Sequence, residues 1–344
     1  MRFERVRLAG WGHVLPTQRV TSEELEQRLG PVYDTLRVPR GQLVYLTGIR
    51  ERRWWEPGVR LAPRAAEAAE RSLAFAGVPA GALGSVVFGS VCRDAYEPAT
   101  ACEVAHLLGA VGGVEVLDVA NACLGMLSGV LHVARRIELG EIRAGVVVGC
   151  ESAREINDAM IAEMLEDRTM AHFARSMATL TGGSGAAALV LTDGTVGRQG
   201  PRLVGGALRA APAHHALCRW GPDRRVPARQ PMLMETDAVP VMREGVPLGA
   251  TTWAEFLPAV GWDRPDRTIS HQVGQANRTA ILQAIGVAPE LDFVTYDVLG
   301  NTGSVAVPIT ASLASEAGFL APGHRVAWLG IGSGLNCLML GWEW

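Results

Sequence analysis

Short apolar runs separated by helical patterns constrain this fold more than any other feature of the chain. "GSVVFGSV", "VEVLDV" and "RAGVVVG" each read as a buried strand, because their apolar residues run on rather than alternate. Between them, "ATACEVAHLLG" and "CLGMLSGVLHVARRIELGE" carry apolar residues at helical spacing. Upstream, "TSEELEQRL" has the Thr21 and Glu24 spacing of a capping box. "LAPRAAEAAERSLAFAG" runs as a helix from Pro63 in its first turn to Gly77 at its end. Buried strands alternating with helices predict an α/β fold.

The second half repeats this order more faintly. "TISHQ" reads as a strand, "QANRTAILQAIG" as a helix and "DFVTYDV" as a strand, followed by "SVAVPITASLASEAGFL" and "HRVAWLGIG". Aligning Asp118 with Asp297 sets Cys123 near Asn301 and Thr302 at the same strand-to-helix corner. Cys92 and His271 stand equally far before the two aspartates, each just after a strand. The expectation is a duplicated β-α-β-α-β unit, with one half over 1–195 and the other over 196–344. A pseudo-twofold pairing of the halves carries Cys123, His271 and Asn301 to one central cleft.

Composition narrows the function. The 344 residues are 48% apolar and 19% charged, enough to bury a large core. A net charge of −3 and the absence of basic runs give no footprint for nucleic acid. No apolar run is long enough for a membrane span, and the N-terminus lacks the apolar region of a signal peptide. Cys92, Cys102, Cys123, Cys150, Cys218 and Cys337 are scattered without C-x-x-C spacing. That pattern predicts reduced thiols in a cytoplasmic protein and no metal cluster. "TGGSGAAALVL" lacks the Lys of a P-loop, and no G-x-G-x-x-G follows an early strand.

The corner residues carry two readings each. At a helix start the dipole favours a Cys123 thiolate, while apolar burial opposes it, and His271 is the candidate partner. Alone, Cys123 reads equally as a small buried hydrophobe. His271 alone is a hydrogen-bonded structural histidine, and Asn301 in "LGNTGSVAVP" a turn residue. Brought together, the three make a nucleophile with two donors. In "LGIGSGLNC" the Ser333 N–H offers an oxyanion donor beside that of Cys123, or belongs to a plain turn. Met160, Met164, Met170 and Met177 suit either an alkyl channel or an amphipathic core helix.

At these residues the chain resembles the thiolase superfamily, and within it the condensing enzymes related to ketoacyl-ACP synthase III. The motifs are "TGIRERR", "DVANACLG", "GGSGAAALVL", "SHQVGQAN", "GNTGSVAVP" and "GIGSGLNC", in family order across nearly the whole chain. The resemblance implies a five-layered αβαβα fold, a homodimer and a Cys-His-Asn site on Cys123, His271 and Asn301. "SVCRDAYEPATA" and the ending "WLGIGSGLNCLML" bring it nearest to the branch that joins two fatty acyl-CoA molecules head to head. In that branch a glutamate matching Glu97 reaches across the dimer as the base, which implies acyl-CoA substrates, no cofactor and downstream lipid-processing partners.

Chemistry supplies a separate reason to weigh Glu97. Condensation without decarboxylation must remove a weakly acidic α-proton, whereas a decarboxylating synthase needs no such base. The bland reading puts Glu97, before Pro98, at a helix start where an acid suits the dipole. The alternatives are a decarboxylating synthase fed by malonyl-ACP or malonyl-CoA, acyl transfer to oxygen or nitrogen, and a non-catalytic acyl-binding protein. One departure stands out. Initiating synthases often carry an Arg just before "TGIR"; here that neighbourhood is "VYLTGIR", with Leu46, so CoA contacts are expected to differ.

Overall fold

Apolar strands form here because burial on both faces leaves the backbone no partner but another strand. The computed structural model describes residues 1–222 and 232–344. The strands are β1 (Arg7–Val14), β2 (Gln18–Thr21), β3 (Glu51–Trp54), β4 (Ser85–Gly89), β5 (Glu115–Val119), β6 (Ala144–Glu151) and β7 (Gly185–Thr192). They continue as β8 (Arg202–Ala210), β9 (Cys218–Pro222), β10 (Met232–Thr236), β11 (Arg267–Ser270), β12 (Arg325–Gly332) and β13 (Asn336–Glu343). The first helices are α1 (Ser22–Arg28), α2 (Gly30–Leu36), α3 (Gln42–Thr47), α4 (Leu61–Ala76), α5 (Thr100–Leu108) and α6 (Gly125–Glu138). Then come α7 (Arg154–Glu166), α8 (Met170–Ser176), α9 (Ala238–Val260), α10 (Gln275–Ile285), α11 (Tyr296–Leu299) and α12 (Ala306–Glu316).

Pairing shows the duplication. The sheet order is β5-β4-β6-β7-β1-β8-β13-β12-β11. In the first half β4 lies parallel to β6, β6 antiparallel to β7, and β7 antiparallel to β1. In the second half β11, β12, β13 and β8 repeat those relations in the same sequence. A single residue pair, Arg7 with Arg202, joins the halves at β1 and β8.

One core cluster takes in α6, α12 and apolar residues of both half-sheets, including Trp328 and Trp342, whose rings lie 4.9 Å apart. A second sets α4 and α5 on the outer face of the first half-sheet, and another sets α9 on the outer face of the second. The layers are therefore α, β, α, β, α. Covered by a sheet on either side, α12 is buried nearly all round, and α6 is apolar up to its last two turns, where His132, Arg136 and Glu138 make hydrogen bonds.

Local signals hold at most elements. Thr21 and Glu24 form the expected reciprocal cap, and Gly77 ends α4 at φ +66°. One expectation is corrected. "DFVTYDV" is not a strand: only a lone bridge links Thr268 to Asp292, and α11 follows. The N–H groups of Thr295 and Tyr296 donate to Gln272 Oε1 at 2.8 and 3.0 Å, so a side chain takes the place of a neighbouring strand. A second difference concerns the methionine-rich segment, which breaks between α7 and α8 where Thr169 caps the second helix. Met160 and Met164 are core residues there, while Met170 is exposed.

Helix α6 reaches its place because two glycines let backbones touch. A Cβ on Gly125 would stand 2.8 Å from the Gly89 carbonyl carbon. Gly125→Ala is therefore expected to lower stability by about 1–3 kcal/mol through overpacking, more than the helix-propensity gain of up to about 1 kcal/mol. An unfolding midpoint in urea equal to that of the parent would contradict this.

Candidate active site

The corners of the two halves open into one cavity of about 740 Å³, within the usual size of small-molecule sites. Cys123, His271, Asn301 and Ser333 all line it. The cleft expected from the duplication is present, and it brings these four together. Glu97 is not among the lining residues; it is exposed, in the loop between β4 and α5.

Each residue is fixed by its backbone. Cys123 follows Ala122, a non-glycine residue at φ +45°, and α6 begins only at Gly125. The thiol thus sits on a tight corner just ahead of the helix rather than in its first turn. Opposite, the turn after β12 packs on this corner. A Cβ on Gly332 would stand 3.4 Å from Cys123 N and 3.5 Å from Asn121 O. Asn336 Nδ2 donates to Asn121 Oδ1 at 3.1 Å, and Asn121 Nδ2 donates to Ser128 Oγ at 2.9 Å. These bonds tie the Cys123 corner to the Ser333 turn.

His271 directly follows β11, with its N–H donating to Leu329 O at 2.7 Å. Buried Asp292 accepts from Ser270 N–H at 3.0 Å and from Arg278 Nε at 2.7 Å, anchoring the strand end just before it. Neither ring nitrogen of His271 has a protein partner, although the side chain is buried. Asn301 is held by Thr181 O at 2.8 Å and by the Gly183 N–H at 2.9 Å. Its Oδ1 accepts from Gly303 N–H at 3.0 Å, which leaves the amide nitrogen as the donor.

Electrostatics settle the resting state. Burial first, then the charges of Cys218 and Glu151, push the Cys123 thiol up to about 12, and its own N–H only partly opposes them. Burial pushes His271 down to about 4. The pair rests as neutral thiol and neutral imidazole, so burial wins over the helix start. Such a pair suits proton transfer during attack on a carbonyl rather than storage of a thiolate.

Sequence reasoning missed Glu151, Asn336 and Cys218, all at or beside the cavity. The signal for Glu151 was present: a lone carboxylate closing the apolar run "AGVVVGC". The helix-start role weighed for Glu97 falls instead to Asp118, whose carboxylate accepts from the N–H groups of Thr100 and Ala101, both at 2.9 Å. No hydrogen bond or ion pair among the described residues engages the Glu97 carboxylate. Of the methionines weighed, Met177 lines the cavity, alongside Met234, Met242 and Met339. Leu46 lines it as well.

A depressed histidine pKa means that the unfolded chain binds the proton more readily. Stability is then complete above about pH 6.5 and is lost as pH falls towards 4, by about 3 kcal/mol for this one group. His13, also lowered by burial, adds in the same direction. His271→Asn is expected to flatten the pH dependence of urea unfolding between pH 7 and 4. Equal slopes for parent and variant would contradict the neutral buried imidazole.

Comparison with known proteins gives the same picture. Residues 259–344 match the 3-oxoacyl-[acyl-carrier-protein] synthase III C-terminal family, and residues 59–193 match the thiolase N-terminal domain. An acyl-CoA:acyl-CoA alkyltransferase of Shewanella oneidensis is 49% identical, with 100% of each chain covered. The protein of the same name from Xanthomonas campestris is 35% identical over 100% of both chains. Crystal structures of Xanthomonas campestris OleA superpose with a TM-score of 0.94 at 34% identity, covering 100% of this chain and 98% of theirs. One relative was solved, as a Cys-to-Ser variant, with bound lauric acid and lauroyl-CoA. The chain belongs to the thiolase superfamily of condensing enzymes, in the group of the acyl-CoA:acyl-CoA alkyltransferases.

Proposed function

We propose that this enzyme joins two fatty acyl-CoA molecules by a Claisen condensation without decarboxylation. The observation that carries the reading is one cavity lined by Cys123, His271 and Asn301 together with many apolar side chains, in a chain 49% identical to an acyl-CoA:acyl-CoA alkyltransferase. In the first step Cys123 sulfur attacks the thioester carbonyl and its proton passes to neutral His271. The N–H groups of Cys123 and Ser333 hold the oxyanion. CoA leaves as the thiol, taking the proton back from His271, and the acyl group stays on sulfur.

A second acyl-CoA then enters. His271 and Asn301 donate hydrogen bonds to its thioester carbonyl, where enolate charge develops. Glu97 of the partner subunit takes the α-proton, the carbanion attacks the Cys123 thioester, and Cys123 leaves as thiolate, regaining the proton that Glu97 gives up, so both groups are reset. The product is a 2-alkyl-3-ketoacyl thioester, or its acid after hydrolysis. The balance needs no metal or redox cofactor. Apolar walls at Ile156, Met177, Met234, Val241, Met242 and Ile281 suit alkyl chains.

The role given to Glu97 requires a homodimer. Its carboxylate is exposed and unengaged among the described residues, and Tyr96, Leu107 and Val111 expose apolar surface nearby in sequence. Strand β5, partly exposed throughout, has a free edge at the end of the sheet. The reading also keeps the division into halves at 1–195 and 196–344, and a reducing, cytoplasmic setting in which Cys123 stays a thiol. No helix among the described residues is long and apolar enough to cross a membrane.

The match to the synthase III family favours a second reading, in which malonyl-ACP or malonyl-CoA supplies the carbanion. One saturated acyl-CoA offered as sole substrate separates the two. Product formed without malonyl donor supports the first, and a strict need for malonyl donor overturns it. In the same assay Glu97→Gln is expected to release CoA on acylation, yet to condense about 10²–10⁴-fold more slowly, the usual contribution of a positioned base. Condensation at the parent rate would remove Glu97 from the mechanism.

A further inference from the structure

The residue that strand β6 ends on has no role in the chemistry above. Glu151 is 3% exposed and closes a strand in which all eight residues are buried. Among the described residues no cation pairs with it. A buried carboxylate without a counter-charge must be held by hydrogen bonds, and four donors supply them. Oε1 accepts from the N–H of Val91 at 2.9 Å, the N–H of Ser304 at 3.2 Å and the Ser304 hydroxyl at 2.5 Å. Oε2 accepts from the N–H of Cys92 at 3.1 Å.

These donors belong to both halves of the molecule. Val91 and Cys92 open the loop that carries Glu97. Further along that loop, Asp94 accepts from the N–H groups of Leu61 and Ala62 at the start of α4, at 2.8 and 2.9 Å. Asp118 holds the loop's far end through Thr100 and Ala101. Three carboxylates therefore clamp the loop, and Tyr96 and Glu97 are left at its exposed tip. Ser304 lies in the turn that carries Asn301. There Gly303, at φ +59°, lets the chain close on Glu151: a Cβ at that position would stand 3.2 Å from its carboxyl carbon. The Gly303 N–H in turn fixes the Asn301 amide.

We propose that Glu151 is a positioning residue that sets, with one carboxylate, both the Asn301 turn and the loop bearing Glu97. The inference rests on the condensation proposed above. It adds that Glu151 acts on two sites at once, since Asn301 serves its own cavity and Glu97 the partner's. Four accepted hydrogen bonds occupy both oxygens of this carboxylate, so it braces the base and does not replace it.

The test compares half-reactions in full-length Glu151→Gln and Ser304→Ala, with lauroyl-CoA as the probe. Both groups set by Glu151 act on the second substrate. Glu151→Gln should therefore slow condensation by about ten- to a hundredfold more than it slows the CoA-release burst, mainly in kcat rather than KM. Ser304→Ala, which removes the hydroxyl donor and leaves the charge on its three N–H donors, should show the same split to a smaller degree and decides the matter if Glu151→Gln does not fold. A readout independent of acyl-CoA accompanies it. Removing a charge on the cavity that Cys123 also lines should move the pH profile of Cys123 alkylation by iodoacetamide to lower pH. Condensation at the parent rate, or equal losses in both half-reactions, would overturn the proposal. If the parent itself forms no product from lauroyl-CoA, the reaction reading fails instead, and an unmoved alkylation profile would overturn the placement of Glu151 by itself.

Discussion

The rest of the structure depends on the burial of α6 and α12 between the two half-sheets. α12 is apolar nearly all round, and the polar residues of α6, His132, Arg135, Arg136 and Glu138, are confined to its last two turns. Polar function at the junction of the halves therefore falls to helix starts and strand ends, where the backbone changes direction. There Cys123, His271, Asn301 and Ser333 come from four segments distant in sequence and line one cavity. Close backbone contacts at Gly89, Gly125 and Gly332 set how near these corners come. The catalytic geometry is thus a by-product of packing two copies of one unit back to back.

The same burial sets the electrostatics. His271 is buried and Cys123 partly so at the cavity wall, and burial disfavours the charged form of each. With both groups neutral at rest, the sulfur is less reactive than a thiolate, which limits its alkylation and oxidation. Carboxylates in this region are handled differently. Asp118, Asp94 and Glu151 are each occupied by backbone N–H groups and serve as braces. Glu97 alone in that loop keeps its carboxylate unengaged among the described residues, as the base proposed above requires.

Much of this was legible in the sequence because burial leaves its mark on composition. Apolar runs marked β4, β5, β6, β11 and β12, while β1 and β8 went unread, and the Asp118–Asp297 alignment led to the cavity residues. The alignment worked although its premise was partly wrong. Asp118 lies in a strand, whereas Asp297 lies in α11 and pairs with Arg50. The second half lacks the counterpart of β5 because Gln272 satisfies the backbone there, and no local pattern announces a side chain that substitutes for a strand. Glu151 and Asn336 were missed for a related reason. Their partners lie far away in the chain, and a lone polar residue at a strand end looks the same whether it braces a site or faces water.

The central claim is that sulfur at the meeting of the halves carries the acyl group. Intact-protein mass spectrometry with peptide mapping, after brief exposure to one long-chain acyl-CoA, tests it most directly. The account predicts a single acyl adduct on the peptide containing Cys123, absent in Cys123→Ser. An adduct on Cys218 or Cys337 instead, or condensation product formed by Cys123→Ser, would contradict it.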